Sequence, residues 1–146
     1  VTISLTLHEE HVSMKILFDE IRTRFPEFIE EVEMYVEVEY DAPYLAMGYL
    51  ADWLDSKGEN GFDPTIVQRL VDFAKWCESQ PRGKDASDDI YTILYVAMYE
   101  ALFLRQHTKC LIPRLMSKKD LEENKQYLVS WVGQDNYDKA LEQFQE

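Results

Sequence analysis

The stretch Ile90–Leu104, IYTILYVAMYEALFL, decides the fold. It holds one charge, Glu100, and one other clearly polar side chain, Thr92. A surface helix keeps a polar face, so a helix apolar nearly all round is buried by its neighbours or by lipid. A bilayer crossing needs ~20 apolar residues, and this shorter run is flanked by Asp88, Asp89 and Arg105. The stretch therefore reads as the buried central helix of a bundle, with the other helices packed round it.

Working outward towards the carboxyl terminus, RQHTK (Arg105–Lys109) is polar and basic, and Cys110–Met116 is a short apolar turn or helix containing Pro113. Ser117 followed by Asp120 resembles a capping box. It predicts a helix to about Val132 that buries Leu121, Leu128, Trp131 and Val132, with Gly133 as its C-terminal cap. Asp135 is placed to cap a last helix with Tyr137, Leu141 and Phe144 inward.

Towards the amino terminus, Ser87 is placed to cap the central helix, and Pro81-Arg82-Gly83 ends the helix before it. That earlier helix starts at Asp63-Pro64, a capping carboxylate followed by Pro at the first helical position, and runs to about Ser79. Before the SKGENGF loop (Ser56–Phe62), Pro43–Asp55 predicts a helix with Leu45, Tyr49, Leu50, Trp53 and Leu54 on its apolar face. Gly48 in mid-helix costs about 1 kcal/mol relative to Ala, which suggests close approach of another helix. Two further helices are expected over about Glu9–Arg24 and Pro26–Glu39. Val1–Leu7 alternates apolar and polar residues with no second strand to pair with, which leaves a short extended arm or a frayed terminus. No repeat or composition shift divides the chain. The expectation is an all-α, single-domain bundle over residues 1–146, of six to seven helices.

At 146 residues the chain is long enough to bury a real core, and 46% hydrophobic content argues against disorder. The net charge of −13 opposes binding to nucleic acid or anionic lipid and favours a basic partner. Two cysteines in no short motif, with no secretory leader, give a reducing cytoplasm as the default.

The charge is unevenly spread. Phe25–Ser56 contains no Lys or Arg and nine acids. Neighbouring glutamates on a helix repel by roughly 0.2–0.5 kcal/mol per pair. Exclusion of basic residues from this stretch reads as a preformed acidic face for a basic partner, weighed against a face tuned for solubility. Ala101–Lys119 is the converse, with no acid and five Lys or Arg, and reads as an intramolecular complement of the acidic helices. Exposed aromatics beside acids make good anchors. The partner-binding candidates are therefore Glu30, Glu31, Glu33, Glu37 and Asp41, with Tyr40 and Tyr44 flanking the turn before the third helix.

Other chemistry is weakly signalled. His8-Glu9-Glu10-His11 lacks the H-E-x-x-H spacing and any implied third ligand, so no metal is assigned. Cys77 and Cys110 read as small core residues. Glu100, among apolar neighbours, must find a partner, hold its proton or line a pocket. No catalytic residue and no cofactor is assigned.

FPEFIEEVEMYVE (25–37), YLAMGYLADWL (44–54) and IVQRLVDFAKWCES (66–79) together resemble a family of small acidic all-helical bacterial proteins of unknown-function label. Such proteins look like immunity proteins of polymorphic toxin systems. The resemblance implies a protein that binds a cognate toxin, here expected to be basic, and blocks its active site. The alternatives are an acidic adaptor or nucleic-acid mimic, and a small enzyme with a pocket at Glu100.

Overall fold

A computed structural model describes residues 14–32, 42–86 and 88–144. Among these, every regular element is helical. The amino-terminal alternation, His8, His11, Glu33, Glu37, Tyr40 and Asp41 lie outside the described residues, as does Ser87.

Helix α1 covers residues 14–24 and buries Met14, Leu17, Phe18 and Ile21, the stripe its periodicity predicts. Phe25, also buried, separates it from α2, Pro26–Glu31. The expected helix to Glu39 leaves helical geometry at Val32, whose φ is −115° and ψ 87°, and residues 33–39 lie outside the described residues. A β-branched residue following glutamates that repel at i,i+3 and i,i+4 is a poor place to continue a helix. Helix α3, Pro43–Lys57, buries Met47, Leu50, Ala51, Trp53 and Leu54 but leaves Leu45 exposed. Gly48 does not permit a close helix crossing: a Cβ built there meets nothing within 4 Å among the described residues. Helix α4, Pro64–Ser79, starts as expected, with the Asp63 carboxylate accepting from the Thr65 N–H.

Helix α5, residues 90–104, lies at the centre and packs against α3 and α4. It is α-helical over Ile90–Ile93 and Glu100–Leu104, and π-helical over Leu94–Tyr99. Burial is one-sided. Ile90, Ile93, Leu94, Met98, Tyr99, Leu102 and Phe103 are buried, whereas Tyr91, Thr92, Tyr95, Val96 and Glu100 are half-exposed. Its N-cap is Asp89.

A 3₁₀ turn, Thr108–Leu111, leads into α6, Ile112–Leu115. The helix expected to Val132 is divided at Asn124 into α7, Lys118–Glu123, and α8, Lys125–Val132, with Ser117 capping α7 as predicted. Gly133, at φ +88°, joins α8 to α9, Gln134–Glu142, and takes the capping position expected of Asp135. Such a φ suits glycine because it has no Cβ to clash. Helices α8 and α9 pack on the carboxyl-terminal part of α5, and the buried residues form one continuous core. No helix among the described residues is long and apolar enough to cross a membrane.

Candidate functional site

Two surfaces concentrate the residues that could make contacts. The first is the acidic side, formed by α2, α3 and the start of α4. Beneath it Phe25 meets Phe73 edge-on at 5.7 Å and Trp53 at 6.2 Å, and Phe28 meets Trp53 at 5.8 Å. Over this sealed cluster lie ion pairs. Glu27 Oε2 accepts from Arg69 Nη1 at 2.7 Å, and Glu31 Oε1 accepts from Lys57 Nζ at 2.7 Å. Glu27 is held below the usual carboxylate range by its backbone hydrogen bond and then by Arg69. Glu31 is held below it chiefly by Lys57.

The basic segment after α5 lies against α3. Arg105 Nε donates to Asp52, and the His107 backbone N–H donates to Asp55 Oδ1 at 2.7 Å. Of the described acids between Phe25 and Ser56, Glu30 is thus the exposed one without such a bond. Tyr44 is half-buried, and its hydroxyl donates to the Ala86 carbonyl at 2.8 Å.

The second surface is an aromatic groove between α5, α7 and α8, with a volume of about 400 Å³. Tyr91 and Tyr95 form one wall, stacked with centroids 4.7 Å apart. In an α-helix, residues four apart overshoot one turn. The wider i→i+5 winding of Leu94–Tyr99 reduces that overshoot and brings Tyr91, Tyr95 and Tyr99 into one ladder. The Tyr95 hydroxyl donates to Glu78 Oε2 at 2.9 Å, while the Tyr99 hydroxyl is buried without a partner among the described residues.

Tyr127 and Trp131 form the opposite wall, 6.0 Å apart and edge-on. They are 67% and 43% exposed, so Trp131 is not the core residue its helix predicts. Met116 and Leu128 contribute apolar surface, and Asp120 and Asn124 are polar. The expected core stripe was Leu121, Leu128, Trp131 and Val132, of which Trp131 is exposed. Asp120, Asn124, Tyr127 and Trp131 recur at i, i+4, i+7 and i+11 and make a second stripe beside it. That spacing was the available signal.

At the outer edge of the groove, Arg82 lies over the Tyr91 ring at 4.4 Å. The same guanidinium donates to the buried Asp89 carboxylate, with Nη2 to Oδ2 at 2.7 Å. Asp89 also accepts from the Thr92 hydroxyl at 2.6 Å and the Gly83 N–H at 3.2 Å. Arg82 above all, then Thr92 and Gly83, holds the Asp89 carboxyl well below the usual range. This network occupies the position at which Ser87 was expected to cap α5.

Glu100 is half-exposed and is not among the residues lining the groove. Cys77 is buried, and burial pushes its thiol far up, which disfavours the thiolate. Cys110 is exposed, contrary to its reading as core, because the 3₁₀ turn directs Leu111 and Thr108 inward instead. Among the described residues no group of three or more His, Cys, Asp or Glu is placed to hold a metal ion.

No curated protein and no solved structure matches the chain. A family model does match, over residues 18–131, a span that takes in both surfaces and ends at Trp131. Nothing in that family's description ties it to immunity proteins. The chain belongs to the family described as Domain of unknown function, DUF7674.

Proposed function

We propose that the protein is a non-catalytic binding protein for a basic protein partner. It acts as an immunity protein acts on a toxin, by covering the partner's active site, in the cytoplasm. The observation that carries this reading is the charge balance. The chain has 28 acids and 15 Lys or Arg, and ion pairing within the chain cannot reduce the net charge of −13. The pairs on the acidic side secure individual carboxylates but leave the surplus for solvent or a partner. Such a surplus accelerates encounter with a basic surface and makes it salt-sensitive.

Glu30 supplies to the face in this reading a carboxylate unpaired among the described residues, and Glu33, Glu37, Asp41 and Tyr40, which lie outside the described residues, are assigned to it from the sequence. Glu31 and Tyr44 contribute from positions already tied to Lys57 and Ala86. The test is affinity capture from the native cells with this chain as bait, washed at low and at high salt. One stoichiometric basic protein released as salt rises is the expected result. No partner at either salt overturns the proposal. Replacing Glu30, Glu33 and Glu37 together by Lys is expected to slow association and flatten its salt dependence. Unchanged kinetics would remove this face from the contact.

A further inference from the structure

On the acidic face, among the described residues, the charged side chains of Glu27, Glu31, Lys57 and Arg69 already pair across the small cleft between them, about 180 Å³ in volume. The aromatic groove differs. Tyr91 lies under Arg82 and Tyr95 is tied to Glu78 and Tyr99, but Tyr127 and Trp131 face solvent, and the single charged lining residue among those described is Asp120. Asp120 is exposed, and its carboxylate forms no ion pair among the described residues. Its backbone N–H is taken by Ser117 Oγ at 3.0 Å, which fixes the start of α7 without using the carboxylate.

Aromatic faces carry negative quadrupoles and attract cations, guanidinium more often than ammonium. A planar guanidinium also stacks on a ring while its edge pairs with a carboxylate. The chain builds this arrangement within itself, where Arg82 lies over Tyr91 and is held by Asp89. The groove beside it offers the same two components, exposed rings and a carboxylate, and no cation from the described residues lines it.

We propose that the groove is a docking site for an arginine side chain on a basic peptide segment, stacked on Tyr127 and Trp131 and paired with Asp120. This rests on the reading that the partner is basic, and it assigns the anchoring contact to α7 and α8 rather than to α2 and α3. The net charge of −13 selects a cationic occupant over a neutral one of similar shape.

The probes are three eight-residue peptides in which Gly alternates with Arg, with Lys or with Gln. Each is titrated calorimetrically into the full chain while the tryptophan indole N–H signals are followed by NMR. The Arg peptide is expected to bind saturably and to shift the Trp131 signal, with the Lys peptide about three- to tenfold weaker and the Gln peptide not binding. Trp131→Ala, Tyr127→Ala and Asp120→Asn are each expected to weaken the Arg peptide about tenfold while leaving the melting temperature nearly unchanged.

Equal binding of the Arg and Lys peptides, insensitive to Trp131→Ala but lost in the Glu30, Glu33 and Glu37 triple Lys variant, overturns the groove and keeps the basic-partner reading. Binding of the Gln peptide as tight as the Arg peptide overturns the cation preference. No binding of the Arg peptide by the wild-type chain overturns the groove proposal, and affinity capture then tests the basic-partner reading separately.

Discussion

The molecule contains two aromatic clusters of similar composition and opposite accessibility. Phe25, Phe28, Trp53 and Phe73 meet edge-on or tilted among α2, α3 and α4 and are buried. Tyr91 meets Tyr95 on α5 and Tyr127 meets Trp131 on α8, and the two pairs face one groove, but two of the four rings are substantially exposed. The first cluster is roofed by Glu27–Arg69 and Glu31–Lys57; in the second, among the described residues, Arg82 covers Tyr91 but no ion pair covers Tyr127 and Trp131. Aromatic contact geometry alone therefore does not distinguish core from binding surface. What distinguishes them is whether charged side chains from other helices close over the rings.

The comparison can be broken by substitution. Phe25→Ala is expected to cost about 3–5 kcal/mol in urea unfolding, through lost transfer energy and the cavity left behind. Trp131→Ala is expected to cost about 1 kcal/mol or less, as a surface-like change. Similar losses for the two would mean that the groove is core.

Asp89→Asn comes next, at about 2–3 kcal/mol, because hydrogen bonds from Arg82, Thr92 and Gly83 to a charged acceptor are weakened together. The sign of the pH dependence follows from the direction of the shift. A carboxyl depressed below its ordinary 3.8 contributes its stabilisation in full above that value and loses it as pH falls through the folded value. The wild-type chain should therefore lose stability below about pH 4 more steeply than Asp89→Asn. Parallel acid titrations of the two by circular dichroism would refute this role for Asp89 and leave the groove's outer edge unsupported.

Gly48→Ala has the opposite sign. With open space at the Cβ position, the substitution is expected to stabilise α3 by about 1 kcal/mol. Destabilisation would show that the acidic side is more closely covered at Gly48 than the described residues indicate.

The smallest effects belong to the roof itself. Glu27→Gln and Glu31→Gln are each expected to change stability by less than about 1 kcal/mol, since both pairs are half-exposed and screened. A larger cost for either would mean that the ion pairs hold the buried cluster shut. Repeating the measurement at high salt separates that electrostatic role from packing.

The sequence made the buried cluster legible because each of its helices carries an apolar stripe at regular spacing. Met14, Leu17, Phe18 and Ile21 on α1, and Val67, Leu70, Val71 and Ala74 on α4, are buried as that periodicity requires. Local start and stop signals were equally readable: Asp63 and Ser117 cap their helices, and Gly133 ends α8. The groove was hidden for two reasons. Trp131 adjoins the stripe of Leu128 and Val132, and its bulk invites assignment to the core. The wall opposite is shaped by the π-helical turn over Leu94–Tyr99, which leaves no simple mark in a hydrophobic pattern. The acidic stretch was legible as composition, but its partners Arg69, Lys57 and Arg105 come from other elements.

By itself the sequence determined the helical class, the central position of residues 90–104, the main caps and the surplus of negative charge. These follow from short-range spacing, backbone chemistry and composition, none of which needs distant residues to be placed. Only the tertiary structure decided which side of the central helix faces solvent, which carboxylates pair within the chain, and which of two aromatic clusters stays open. Those outcomes depend on which side chains from remote helices arrive at the same place, and the free energy of burial or ion pairing exists only once they meet.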